Sequence, residues 1–180
     1  MSTQLHILIV STSLHPDSKS RRLARAAEST LQQQGVDVDF VDLQDKNLPF
    51  CDGVDSNKHP EALELRAKVE ACDGVLLTAP VYNYDVNAAA KNFIELTGRA
   101  WTGKVVAMAV SAGGQRSGMS PMGIINSLML DFRCIVIPRF VYAARGDFND
   151  DRSITDACDE RVAQLCSELK RVAGALKNAE

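Results

Sequence analysis

The sequence predicts an α/β fold: a three-layer sandwich in which a five-stranded parallel sheet, in the order 2-1-3-4-5, carries helices on both faces. Three observations predict it. Five apolar runs of strand length alternate with five segments of helical period, the pattern of βα units that lay parallel strands in one sheet. Most of these runs are continuously apolar, as strands buried on both faces must be. Stretches rich in small residues, proline or glycine follow the first, third and fourth runs, where an open sheet of this order has its ligand crevice. With 180 residues and 46% hydrophobic content, the chain reads as a single domain, 1–180, long enough to bury a core.

His6 to Ser11, short and β-branched, is the first strand. A polar loop, Thr12 to Lys19, leads into a helix over Ser20 to Gln34, with Leu23, Ala26, Ala27 and Leu31 at helical spacing and a stop at Gly35. Val36-Asp37-Val38-Asp39-Phe40, continued by Val41-Asp42-Leu43, alternates apolar with acidic and suits a strand at a sheet edge. Gln44 to Pro60, with Asn47, Pro49 and Asp52-Gly53, is a long loop. Glu61 to Cys72 is the second helix, its stripe Ala62, Leu65, Val69 and Cys72 spaced by three or four. Gly74 to Ala79 is the third strand and feeds an irregular stretch, Ala79-Pro80-Val81-Tyr82-Asn83-Tyr84-Asp85-Val86, around which the chain is organised. Asn87 to Gly98 is the third helix and Lys104 to Val110 the fourth strand, followed by the small-residue loop Ser111 to Gly118. Pro121 to Phe132 is the fourth helix, with proline in its first turn where a missing donor is harmless. Cys134 to Ile137 is a short fifth strand stopped by Pro138, and Ser153 to Lys177 is the strongest helix, with Cys158, Val162, Leu165, Leu169 and Val172 on one face.

Composition excludes several classes of function. A net charge of −3 with dispersed basic residues gives no electrostatic footprint for nucleic acid. No apolar segment is long enough to cross a bilayer, and the amino end has no signal-peptide pattern, so no membrane partner and a cytoplasmic location are expected. The five cysteines are scattered without a Cys-x-x-Cys pair. Neither a disulfide framework nor a zinc site follows, and Cys134, Cys158 and Cys166 fall at core positions.

Three loops carry the chemistry. Ser11-Thr12-Ser13-Leu14-His15-Pro16-Asp17-Ser18-Lys19-Ser20-Arg21 places hydroxyls, a His and an Arg between a strand and a helix amino terminus. Free backbone donors and the helix dipole make that a natural anion site, completed by His15 or Arg21. The plainer alternative is that Ser18 or Ser20 merely caps the helix. No Gly-x-Gly-x-x-Gly follows the first strand and no Walker loop is present, which excludes the common dinucleotide and triphosphate sites. The second loop offers two tyrosines and an asparagine behind a stiffening proline. In the third, Ser111-Ala112-Gly113-Gly114 lets the backbone approach a ligand, or is simply a flexible connector. Together they describe a site for a phosphorylated planar heterocycle, and FMN matches it.

The run Ser13 to Ala24 resembles the amino-terminal phosphate motif of the NAD(P)H-dependent FMN reductase family, whose fold is flavodoxin-like. Pro80-Val81-Tyr82-Asn83-Tyr84 with Ala90-Lys91-Asn92 is similar to that family's second signature. Leu48-Pro49-Phe50-Cys51-Asp52 resembles its second-strand loop, and Ser111-Ala112-Gly113-Gly114 its third. His15, Ser20 and Val81 depart from the Arg, Asn and Glu usual there. The resemblance implies phosphate contacts from Ser13, His15, Ser18 and Ser20. Pro80, Val81, Tyr82 and Asn83 would border the isoalloxazine ring, and Ser111, Gly113 and Gly114 its polar edge. It implies a ping-pong cycle in which NADPH or NADH reduces the flavin, which passes electrons to a small-molecule acceptor: free flavin, quinone, azo dye or oxidised metal ion. No side chain need act as acid or base. A homodimer or homotetramer is implied, with Phe140, Tyr142 and Arg145 as candidates for a neighbouring subunit's contribution, and Trp101 is expected to pack rather than to cover the ring. The competing readings are a flavodoxin-type electron carrier that never meets nicotinamide, and a regulatory protein that kept the fold and lost the cofactor.

Overall fold

The computed structural model describes residues 4–179. Strand β1 (His6–Ser11) is followed by helix α1 (Lys19–Gln33), β2 (Asp37–Asp42), α2 (Pro60–Ala71), β3 (Gly74–Tyr82), β4 (Asp85–Val86), α3 (Ala88–Thr97), β5 (Val105–Ser111), α4 (Met122–Phe132), β6 (Ile135–Val136), β7 (Val141–Ala143) and α5 (Asp156–Lys177). The sheet runs β2-β1-β3-β5-β6, with β4 paired to β3 and β7 to β5. This is the expected order, with β2 at the edge. The sheet has seven strands rather than five, and β4 is antiparallel.

Both differences arise at prolines. Pro80 lies inside β3, in register with Ser111, where the sequence reads as irregular loop. Successive residues of a strand direct their backbone groups to alternate sides. Thr78 accepts from Thr12 on the β1 side, so Pro80 faces the same side, just past the end of β1. No ladder donor is needed there, and the Pro80 carbonyl instead accepts from Asn87 N at 3.0 Å. The stretch after Tyr82 is therefore a two-residue hairpin, Asn83-Tyr84, joining β3 to β4. Pro138 ends the fifth expected strand, here β6, as the sequence predicts, but beyond it the chain returns to the same edge of β5 as β7, a strand that the sequence reading did not include.

Alternation along the strands divides the core. Ile7, Ile9, Leu76, Ala107 and Ala109 face α1 and α5, whose Leu23, Ala27, Val162, Leu165 and Leu169 close that layer. Leu8, Val10, Leu77, Met108 and Val110 face α2, α3 and α4. Trp101 is fully buried on this second side, edge-on to Phe93 at 5.6 Å, with its indole N–H donated to Thr97. It is packing, not a lid. Cys72, Cys134, Cys158 and Cys166 are likewise buried. At Gly74 an added Cβ would stand 3.0 Å from Ile7 Cδ1 and 3.2 Å from both Leu169 Cδ1 and the Val105 carbonyl, so any larger residue there must push these neighbours back by a few tenths of an ångström.

Parallel register fixes where the loops emerge. Ser11 pairs with Thr78, Thr78 with Ala109, and Pro80 with Ser111. The carboxyl ends of β1, β3 and β5 therefore finish side by side.

Candidate active site

The segment from Ser13 to Arg21 is built around Arg21. Its guanidinium pairs with Asp42 at the end of β2 and donates to the carbonyls of Ser13 (3.1 Å), His15 (2.9 Å) and Pro16 (3.0 Å). It also donates to Gln44 Oε1. Arg21 is thus directed into the loop's own backbone and is not the free anion donor that its position in sequence suggests. His15 is fixed from both ends. Its N–H donates to Ser13 Oγ at 3.2 Å, and its Nδ1 accepts from Asp17 N at 3.0 Å, which leaves Nε2 to carry the ring proton.

At the start of α1, Ser18 is the cap. Its Oγ accepts from Arg21 N at 3.2 Å and lies 2.9 Å from Ser20 Oγ. Ser20 is fully buried beneath it. The amides of Lys19 and Ser20 find no acceptor among the described residues. Ser20 is closed off from solvent, whereas Lys19 is partly exposed, so one unpaired first-turn donor at the positive end of a 15-residue helix is open to an oxyanion. Capping and anion binding, alternatives in the sequence, coexist here because the cap satisfies a different amide.

The first loop is latched to the second. Thr12 Oγ1 donates to Asn87 Oδ1 (2.7 Å), Asn87 Nδ2 donates to the Thr12 carbonyl (2.7 Å), and Thr12 N donates to the Thr78 carbonyl (3.0 Å). Both side chains are buried. Sequence reasoning missed this pair, since nothing local in the chain signals a partner 75 residues away. The hairpin turn has both central residues at positive φ, Asn83 at 51° and Tyr84 at 67°, the backbone of a type I′ turn. Tyr82 and Tyr84 are each more than half exposed.

In the third loop, nothing lies within 4 Å of a Cβ built on Gly113 or Gly114, so their peptides are open to an approaching ligand. Tyr142 steadies this loop within its own chain: its hydroxyl donates to the Gly114 carbonyl and accepts from Ser117 N at 3.3 Å. A fourth segment lies nearby. Asn92 on α3 clamps the long loop by accepting from Cys51 N (2.8 Å) and donating to the Pro49 carbonyl (2.9 Å). Asp52 Oδ1 then accepts from the amides of Val54, Asp55 and Ser56 and from the Ser56 hydroxyl. Hydrogen bonding, led by that from Val54 N, holds its carboxyl well below the usual carboxylate range.

The three loops border one open cleft of about 240 Å³, lined by Ser13, His15, Asp17, Ser18, Lys19, Pro80, Val81, Tyr82, Ser111, Ala112 and Gly113. Eight of the eleven expected site residues border it. Ser20 lies beneath the wall, while Asn83 and Gly114 sit just outside, at the hairpin corner and beyond Gly113. Lys19, Asp17 and Ala112 complete the lining unforeseen. Among the described residues no cluster of three or more His, Cys, Asp or Glu can hold a metal ion.

A doubly wound sheet whose crevice joins an anion-ready helix end, an aromatic strand end and open glycine amides defines a flavodoxin-like, mononucleotide-binding protein. The chain belongs to the NADPH-dependent FMN reductase family, whose model matches residues 5–148. It is 28% identical over 149 residues to an NAD(P)H-dependent FAD/FMN reductase of Geobacillus thermodenitrificans, covering 79% of each chain. To a probable NADPH:quinone oxidoreductase of Oryza sativa subsp. japonica it is 30% identical over 162 residues, covering 84% of this chain and 80% of the relative. An archaeal flavodoxin shares the fold, with a TM-score of 0.66 over 94% of this chain and 99% of that one at 14% identity. The protein is an FMN-dependent NAD(P)H oxidoreductase.

Proposed function

We propose that the cleft holds FMN with its phosphate on the α1 side, and that the enzyme passes electrons from NAD(P)H to a flavin, quinone, azo compound or similar small acceptor in a ping-pong cycle. The convergence of the three loops on one cleft carries this reading. The donor set fits the group: the Lys19 amide, the hydroxyls of Ser13 and Ser18 and the His15 Nε2–H take the phosphate, with the buried Ser20 holding Ser18 in place. Pro80, Val81 and Tyr82 border the ring, with Asn83 at the corner beyond them. Ser111, Gly113 and Gly114 offer donors to its polar edge. Bound FMN supplies the hydride chemistry, and the chain supplies position, exclusion of water and electrostatics.

The names of relatives, one a flavin reductase and one a quinone oxidoreductase, support flavin and quinone as acceptors. We read the enzyme as a homodimer or homotetramer. We further read the chain as one domain acting in the cytoplasm, without a nucleic-acid or membrane partner. Among the described residues no helix is long and apolar enough to cross a membrane. The test is a visible spectrum of the purified protein loaded with FMN, repeated after anaerobic NADPH and then menadione. Flavin bands that bleach and return are expected. A protein that stays colourless and gains no stability from FMN overturns the proposal.

A further inference from the structure

We propose that Lys19 is a specificity-determining residue whose ammonium supplies the positive charge that selects the phosphorylated flavin over the unphosphorylated one; this rests on the functional reading above. A phosphate monoester carries about −1.5 to −2 charge at pH 7, so the balance of charge in the cleft decides how well it is held. The lining includes one carboxylate, Asp17, and one ammonium, Lys19. Asp17 would oppose an anion, but arginines engage both its oxygens, Arg22 at Oδ1 and Arg152 at Oδ2. Those guanidiniums are committed there, as Arg21 is to Asp42 and its own loop. His15 presents an N–H, but with Nδ1 accepting from Asp17 N it brings no full charge. Lys19 is the cation that remains. Its place is also at odds with the fold alone. As the first residue of α1 it stands at the positive end of the helix dipole, where acidic residues stabilise and cations do not, and that turn has no acidic residue. Arg21 and Arg22 in the same turn are each offset by a carboxylate, whereas the Lys19 ammonium rests over the Phe148 ring, 4.9 Å from its centroid. A ring face steadies a cation, yet leaves N–H donors that a carboxylate partner would occupy. The ring is itself fixed within the chain. Phe148 is bridged to Ile154 and packs on the α1–α5 side of the core, and Asp147 before it accepts from Ala144 N at 2.7 Å and pairs with Arg161. The open first-turn amide and a cation without a carboxylate therefore belong to one residue of the cleft wall.

The experiment titrates the full chain, freed of flavin, with FMN and separately with riboflavin, which has the same ring and no phosphate, for wild type, K19M and K19R. K19M is expected to bind FMN about ten- to a hundredfold more weakly, the worth of a hydrogen bond to a charged group. Its riboflavin affinity and its melting temperature without flavin are expected to stay level. K19R, which keeps the charge, is expected to retain most of the FMN affinity, and added salt to weaken FMN binding more in wild type than in K19M. A K19M whose FMN and riboflavin affinities fall together, or whose melting temperature clearly drops, would make Lys19 part of the fold. A change in oligomer size by light scattering would make it a subunit contact. Any of these overturns the proposal. A wild type that binds FMN with an affinity K19M matches overturns it alone, whereas a wild type that binds no FMN removes the functional reading with it.

Discussion

Arg21 directs its guanidinium at the loop that surrounds it, and a test at residue scale follows from that. Lysine keeps the charge but cannot reproduce a planar fork reaching three carbonyls and a carboxylate. Arg21→Lys is expected to weaken FMN binding by about tenfold or more, and to lower stability by roughly 1–3 kcal/mol as Asp42 and the freed carbonyls lose their partner. Flavin fluorescence titration and urea unfolding measure the two effects. Were Arg21 touching phosphate directly, lysine would retain most of the affinity and leave stability alone. The sequence made Arg21 a candidate ligand because it stands one turn into a phosphate-type helix. It did not show that Asp42, 21 residues on, would be brought against it at the end of the neighbouring strand.

At the scale of elements, the latch between the β1 loop and α3 determines whether the cleft keeps its shape. Replacing Asn87 with alanine removes both side-chain bonds to Thr12 and leaves the buried Thr12 carbonyl unpaired, while the Thr12 hydroxyl keeps the Thr78 carbonyl as acceptor at 2.9 Å. A loss of about 1–3 kcal/mol is expected. Thr12→Val and the double variant complete a cycle in which the combined cost falls short of the sum, and simple additivity would show that the two loops are held independently. The long loop is pinned differently. Asp52 titrates lower in the folded protein than its unfolded value, so its stabilisation is present above the ordinary carboxylate range and is lost only as pH falls through the depressed folded value. The elements themselves were mostly legible in sequence, with helix bounds within a few residues. The hairpin was not, because Asn-Tyr lacks the glycine that usually announces a type I′ turn, and Pro80 reads locally as a strand breaker.

For the whole molecule, the buried thiols report on global opening. Desolvation raises Cys72 and Cys134 to about 11 and Cys166 to about 12. A group whose folded value lies above its unfolded one stabilises the fold fully below the unfolded thiol value of about 8.5. Stability is therefore expected to decline as pH rises from there toward 11, a trend that urea melts across alkaline pH will show. At pH 8 a disulfide reagent is expected to label the partly exposed Cys51 promptly and the other four only as fast as the protein unfolds. Saturating FMN, by binding only the folded state, slows that labelling and raises stability by about 2.7 kcal/mol at one hundred times its dissociation constant. Failure of FMN to protect the buried thiols would sever the cleft from the fold. By itself the sequence determined the class of fold, the order of its strands and the three loops that matter, since periodicity and turn chemistry are local properties. Only the tertiary structure decided which side chains face the cleft, which hold its walls and where the Lys19 ammonium rests, because those depend on contacts between segments that lie far apart in the chain and side by side in the fold.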